Sequence, residues 1–306
     1  MEAEKTLTRK IEYRKGIAAA MSCALLWGVL PVYWKLLHPI NPLAIMLYRL
    51  VLLCVLVFIV DLFVYKWQGI ITPLKQKGAI RVFFLAGAMI AFNWGLYIYM
   101  VNAGYVIQTS IGYYIEPLVI CIFGVVFFKE KLKKYKLAAF LMACAGVVVM
   151  LFSYGEIPVM SLCLAMSFAI YAGIKKKLQA PALLSLFYET VFLIPLVIPV
   201  ILYLEITGRG VFDTATPSQI AILSLAGLVT AVPLSLFSMA ANRISMVALG
   251  ITEYISPSIG LILGIFLFHE GFDIYQLLGF CCIWAGLVVF TIGSFRESTA
   301  VQMENE

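Results

Sequence analysis

Charge is scarce in this chain, and most of what there is falls between long apolar runs. Asp, Glu, Lys and Arg make up 12% of the 306 residues against 63% hydrophobic, with a mean hydropathy of +1.01, a balance that excludes an ordinary soluble domain. Histidine is scarcer still. The chain has only His38 and His269, both at the ends of apolar runs, so no three- or four-donor zinc site can be read from spacing. G-x-S-x-G, H-E-x-x-H and D-x-D clusters are missing, as is any glycine-rich nucleotide loop. No catalytic residue, metal or cofactor is therefore expected, and coupling to ATP within the chain is unsupported. The seven cysteines lie inside the apolar runs without a C-x-x-C pair, which gives no disulfide or metal framework and leaves them as packing residues. Connections are short too: the longest, near 65–78 and 204–217, are too small to bury cores of their own.

What is there is apolar length. Stretches able to cross about 30 Å of hydrocarbon at about 1.5 Å per residue fall near 16–37, 42–64, 79–101, 107–128, 135–152, 157–174, 182–203, 218–240, 246–268 and 273–293. The expected fold class is an all-α membrane protein of ten transmembrane helices, because unpaired backbone groups are too costly in lipid and the runs lack the alternation of barrel strands. The first run follows basic residues but has no small-x-small cleavage pattern, so it reads as a retained span. Lys5, Arg9, Lys10, Arg14 and Lys15 precede it. Lys66, Lys75, Lys77, Arg81, Lys129, Lys131, Lys133, Lys134, Lys136, Lys175 to Lys177, Arg243 and Arg296 sit in alternate connections or after the last run, whereas Arg209 stands in the opposite set and Lys35 can snorkel there. This asymmetry predicts cytoplasmic termini. The net charge of +6 is then topology, and no nucleic-acid partner is implied. The segment 1–15 and the polar tail 294–306 would lie outside the bilayer, the tail disordered.

The chain also resembles itself at a shift of 140 residues. Laying 102–151 over 242–291 without a gap aligns Asn102, Tyr114-Ile115, Pro117, Gly124, Phe128, Glu130, Tyr135, Leu137, Ala145-Gly146 and Val148-Val149 with identical residues, and Gly87 with Gly227. Two units follow, 16–152 and 157–293. Each holds an odd number of spans, so the two must sit in the bilayer opposite ways up. Such inverted repeats are a build of secondary transporters, with the solute site in a central cavity where the halves meet.

The residues that mark the spans resemble those of the drug/metabolite transporter superfamily, EamA-type, and within it the RarD family. They are Trp27-Gly28, Tyr48-Arg49, Asn93-Trp94, Gly112-Tyr113-Tyr114-Ile115-Glu116-Pro117, Glu189-Thr190 with Pro195, Val232-Pro233, and Glu253-Tyr254-Ile255-Ser256-Pro257. Their order over ten spans carries the likeness. It implies a bacterial inner-membrane carrier of small solutes, associated by family name with chloramphenicol sensitivity. It also implies that positions 108, 116 and 253 contact substrate. The family pattern has an amide where this chain has Glu116 and Glu253, and a carboxylate where it has Gln108.

Ionisable groups at membrane depth are costly enough to count as functional candidates. Arg49 and Glu189 each stand eighth in equivalent spans, about 12 Å in from opposite faces; a salt bridge between them is one option, local neutralisation the other. Glu116 precedes Pro117, and Glu253 lies four residues before Pro257. Proline removes a donor and disturbs the carbonyl at i−4, so breaks are expected at Tyr113 and at Glu253, where freed groups can face a cavity. Either carboxyl group could bind protons or a substrate ammonium, or simply hydrogen-bond a neighbouring helix. Trp94, Tyr97, Tyr99, Tyr113, Tyr114 and Tyr254 suit a wall for flat amphipathic solutes or a cation–π contact, against a plain packing role. The candidate substrate or coupling set is Arg49, Asn93, Trp94, Gln108, Tyr113, Tyr114, Glu116, Glu189, Glu253 and Tyr254.

The leading reading is a secondary transporter, by resemblance an exporter, that moves a small amphipathic metabolite or drug by alternating access with possible proton coupling. The alternatives are an importer, an integral membrane enzyme acting on a lipid-linked substrate, and a channel. An enzyme needs nucleophile, base and electrophilic stabiliser to converge, which the sequence does not offer. The oligomeric state is not encoded in any recognisable pattern.

Overall fold

The computed structural model describes residues 2–75, 78–103, 105–154, 158–267 and 273–303. Lys77, His269 and the repeat partners Phe268 and Glu270 lie outside them. Every regular element among the described residues is helical, and ten segments are long and apolar enough to cross a membrane. The protein is an all-helical multi-pass membrane protein. Its first six spans are α1 (Glu2–Lys35), α2 (Pro42–Ile71), α3 (Ala79–Asn102), α4 (Val106–Val126), α5 (Lys134–Tyr154) and α6 (Val159–Leu178).

The next three spans are interrupted. The seventh is α7 (Ala182–Val191) and α8 (Ile194–Ile206), followed by the single turn α9 (Val211–Thr214); the eighth is α10 (Pro217–Ser224) and α11 (Ala226–Arg243); the ninth is α12 (Met246–Glu253) and α13 (Ile255–Phe266). Two breaks follow directly from proline: Pro195 has no N–H for the carbonyl of Val191, and Pro257 none for that of Glu253. The tenth span, α14 (Ile274–Met303), stays helical into the tail expected to be disordered.

The break expected at Tyr113 does not form, because α4 runs unbroken through Pro117. Packing on both sides keeps it continuous: Gly112 lets α6 approach at Ser161 and Leu164, and Gly250 of α12 lies against the Pro117 carbonyl and Cys121. A Cβ on Gly250 would sit 2.5 Å from that carbonyl oxygen, so only glycine admits this spacing.

The repeat visible in the sequence recurs as a symmetric set of contacts. The packing of α1 on α11 mirrors that of α6 on α3, α2 on α11 mirrors α7 on α3, and α5 and α14 pack on each other. The aligned glycines mark equivalent crossings: a Cβ on Gly87 would strike the Glu189 carbonyl, and one on Gly227 would come 2.6 Å from that of Leu52. Aromatic rings fill the junction of the halves, where Trp27 meets Phe168 edge-on at 5.5 Å and Phe237 at 5.4 Å.

The two ends of the bundle differ. At the end that carries the chain termini, Arg243 pairs with Glu12 at 2.7 Å, Lys176 donates to the Ile244 carbonyl, and Lys136 donates to Ser245. The Glu130 carboxylate accepts from the Met246 and Val247 amides at 2.7 and 3.0 Å, capping α12. Every residue of α12 is buried, whereas in α13 only Gly264 is. The bundle is thus closed at the terminal end and looser at the far end.

Candidate functional site

Arg49 lies on α2, in the looser half. Its guanidinium carbon is 3.8 Å from the centre of the Trp94 ring and 5.1 Å from that of Trp34, so two indoles supply the negative ring faces that a cation needs away from water. Tyr97 and Tyr113 approach to 5.9 Å between ring centres, and both lie within the field of Arg49. The helical spacing of Trp94 and Tyr97 on α3 puts them on one face. Tyr97 and Tyr113 each keep 38% of their surface accessible while they converge with Arg49.

Glu116 is three residues from Tyr113 on α4, while Glu253 ends α12 at the break. They are 7% and 3% exposed, and each keeps one oxygen, Oε2 and Oε1 respectively, without a hydrogen-bond partner among the described residues. They are close enough for the charge of Glu253 to act on Glu116. At the repeat offset Glu253 occupies the place of Tyr113, and Ser256 that of Glu116, so the halves place their acids one helical turn apart. Tyr254 donates to the Tyr114 carbonyl at 3.1 Å, and Tyr114 packs edge-on against Phe280, joining α4 to the ninth and tenth spans beside these acids.

Other candidates are drawn into the scaffold. Asn93 donates to the Leu164 carbonyl and to Ser167 at 2.9 and 3.0 Å, so its amide cross-links α3 and α6. Gln108 offers its backbone carbonyl to Ser161 at the start of α4. Glu189 does not meet Arg49. Its partners are Lys175 at 2.6 Å, Tyr171 at 3.1 Å and Ser185, all essentially without exposure. The salt bridge considered between Arg49 and Glu189 is therefore replaced by a Lys175–Glu189 pair. Arg49 enters from the far end, and Glu189 lies near the terminal end where α6 finishes.

Two buried charges escaped the sequence reading. Lys175 opens a run of three lysines, indistinguishable by pattern from the solvated cations beside it. Asp61 is fully buried on α2, with both carboxylate oxygens unpartnered among the described residues; as an acid inside an apolar run it met the criterion that selected Arg49. A surface concavity of about 490 Å³, lined by Pro39, Asn41, Pro42, Gly208, Arg209 and Thr214, lies at the rim opposite the chain termini and contains none of the candidate residues.

A bundle of ten spans with an internal pseudo-repeat, a cation in an aromatic cage and two buried acids, one of them at a helix break, defines a solute-transporter architecture. The profile of the EamA-like transporter family matches residues 14–152 and 157–292, and the chain belongs to that family. It is 37% identical over 294 residues to the transporter YojE of Bacillus subtilis (strain 168), covering 94% of this chain and 97% of that one. It is 35% identical to protein RarD of Streptomyces exfoliatus, covering 94% and 91%, and 28% identical to protein RarD of Escherichia coli (strain K12), covering 91% and 94%. One solved crystal structure superposes with a TM-score of 0.70 at 15% identity, covering 92% of this chain and 98% of that one, a likeness of fold.

Proposed function

We propose that the protein is a secondary transporter that exports a small amphipathic metabolite or drug across the bacterial inner membrane. It does so by alternating access, with both termini cytoplasmic and Glu116 and Glu253 taking part in proton coupling. The observation that carries this reading is the pair of buried acids, one at the end of a broken helix and each with an unpartnered oxygen, between a closed terminal end and a loose far end. Buried acids that the fold leaves unsatisfied are suited to exchange protons as access alternates. The excess of Lys and Arg in alternate connections supports cytoplasmic termini.

The test is flux in reconstituted vesicles under an imposed pH gradient. Glu116→Gln and Glu253→Gln should each reduce gradient-driven transport by about tenfold or more while gradient-independent exchange persists, since each mutation removes a group that changes protonation. Retention of gradient-driven transport by both variants would remove the coupling role. Energised everted vesicles should accumulate the solute and right-side-out vesicles should not; the reverse pattern would make the protein an importer.

A further inference from the structure

Among the described residues the guanidinium of Arg49 has no acid for a partner. Among the described residues it makes no ion pair or hydrogen bond, and its Nε is buried without an acceptor. The rings of Trp94 and Trp34 meet the cation through their faces. That contact leaves the edge of the guanidinium, where five N–H donors lie in one plane, unsatisfied. Beside it stand the accessible faces of Tyr97 and Tyr113. A planar oxyanion is the group that fits such a fork, through two parallel hydrogen bonds. An apolar body attached to it would lie against the tyrosine rings.

Building on the carrier reading above, we propose that the transported solute bears a carboxylate, which Arg49 receives in its guanidinium plane while Trp34, Trp94, Tyr97 and Tyr113 enclose the adjoining flat apolar part. The Arg49 cage is thus an anion subsite in the far half of the bundle, separate from the buried acids Glu116 and Glu253.

The experiment uses the full chain in lipid nanodiscs and three probes of one shape: 3-phenylpropionate, 3-phenylpropanol and 3-phenylpropylamine. Binding is read as quenching of tryptophan fluorescence and as a shift in melting temperature. The acid should bind at least about tenfold more tightly than the alcohol or the amine. Arg49→Gln should lose about a hundredfold in affinity for the acid, and Arg49→Lys about tenfold, because lysine keeps the charge without the fork. Both variants should melt at or above the wild type when no probe is present, since the mutation leaves no partner behind. Three results would each overturn the proposal: equal binding of all three probes, no binding of the acid up to about 10 mM, or wild-type affinity in Arg49→Lys. Transport of the alcohol or amine by a protein that ignores the acid would remove the anion subsite and leave the carrier reading standing. Arg49-dependent binding of the acid without exchange across vesicles would do the opposite.

Discussion

At the scale of single residues, the buried charges divide into one fully satisfied set and several unsatisfied ones. Lys175, Glu189, Ser185 and Tyr171 close a network with direct bonds. The cost of removing two charges from water is offset there by mutual attraction and hydrogen bonds, so the network serves to fix α6 against α7. Lys175→Met should destabilise the protein by about 3 kcal/mol because it leaves Glu189 buried and uncompensated, and adding Glu189→Gln should recover a large part of that loss. Thermal unfolding in detergent checks both. A double variant no more stable than Lys175→Met would show that the pair is not the source of the effect. This network was half legible in the sequence. Glu189 stands alone in an apolar run and draws notice, whereas Lys175 is hidden among Lys176 and Lys177. Arg49 was legible for the same reason as Glu189, and Trp94 was a candidate for a cation–π contact, but their pairing and the part of Trp34 were not, since the three residues lie on different helices and no spacing connects them.

At the scale of elements, apolar length fixed all ten spans, because the hydrocarbon thickness sets a lower bound that few other helices meet. Interruptions were less readable. Pro257 breaks the ninth span and Pro117 does not break the fourth, although both prolines occupy equivalent places in the repeat. The difference lies in packing: Gly250 seats α12 on α4 at Pro117, while α13 beyond Pro257 is mostly half-buried and packs on α1, with Ile259 against Gly28. Sequence reports a missing donor but says nothing of the neighbours that hold the axis around it. The break after Glu253 frees the end of α12 beside Glu116, so Pro257→Ala, which restores a donor for the Glu253 carbonyl, should straighten the span. The expected outcome is an unchanged or higher melting temperature with transport slowed by about tenfold or more. A variant that transports at the wild-type rate would assign the break no part in the cycle.

At the scale of the whole molecule, the closed terminal end is held by a few charged contacts and one helix cap, and these must release for the bundle to open there. Glu130 is the central contact. Its carboxylate holds the first two amides of α12, and α12 in turn covers α4, where Cys121 is buried with its thiol 3.5 Å from the Val247 carbonyl. A charged cap of this kind stabilises a helix start by about 1–2 kcal/mol. Glu130→Ala should therefore shift the closed–open balance by roughly tenfold toward opening at the terminal end. In a variant that retains Cys121 as its sole cysteine, maleimide labelling measures that opening directly, because the thiol is reached only when α12 lifts from α4. Labelling should be slow with Glu130 in place and about tenfold faster with Glu130→Ala. A solute that binds from the far end should slow it again in both, because binding favours the closed terminal end. Labelling that is indifferent to both the mutation and the solute would mean that α12 does not move as a gate, and the two halves would then have to exchange access by some motion other than the release of this helix.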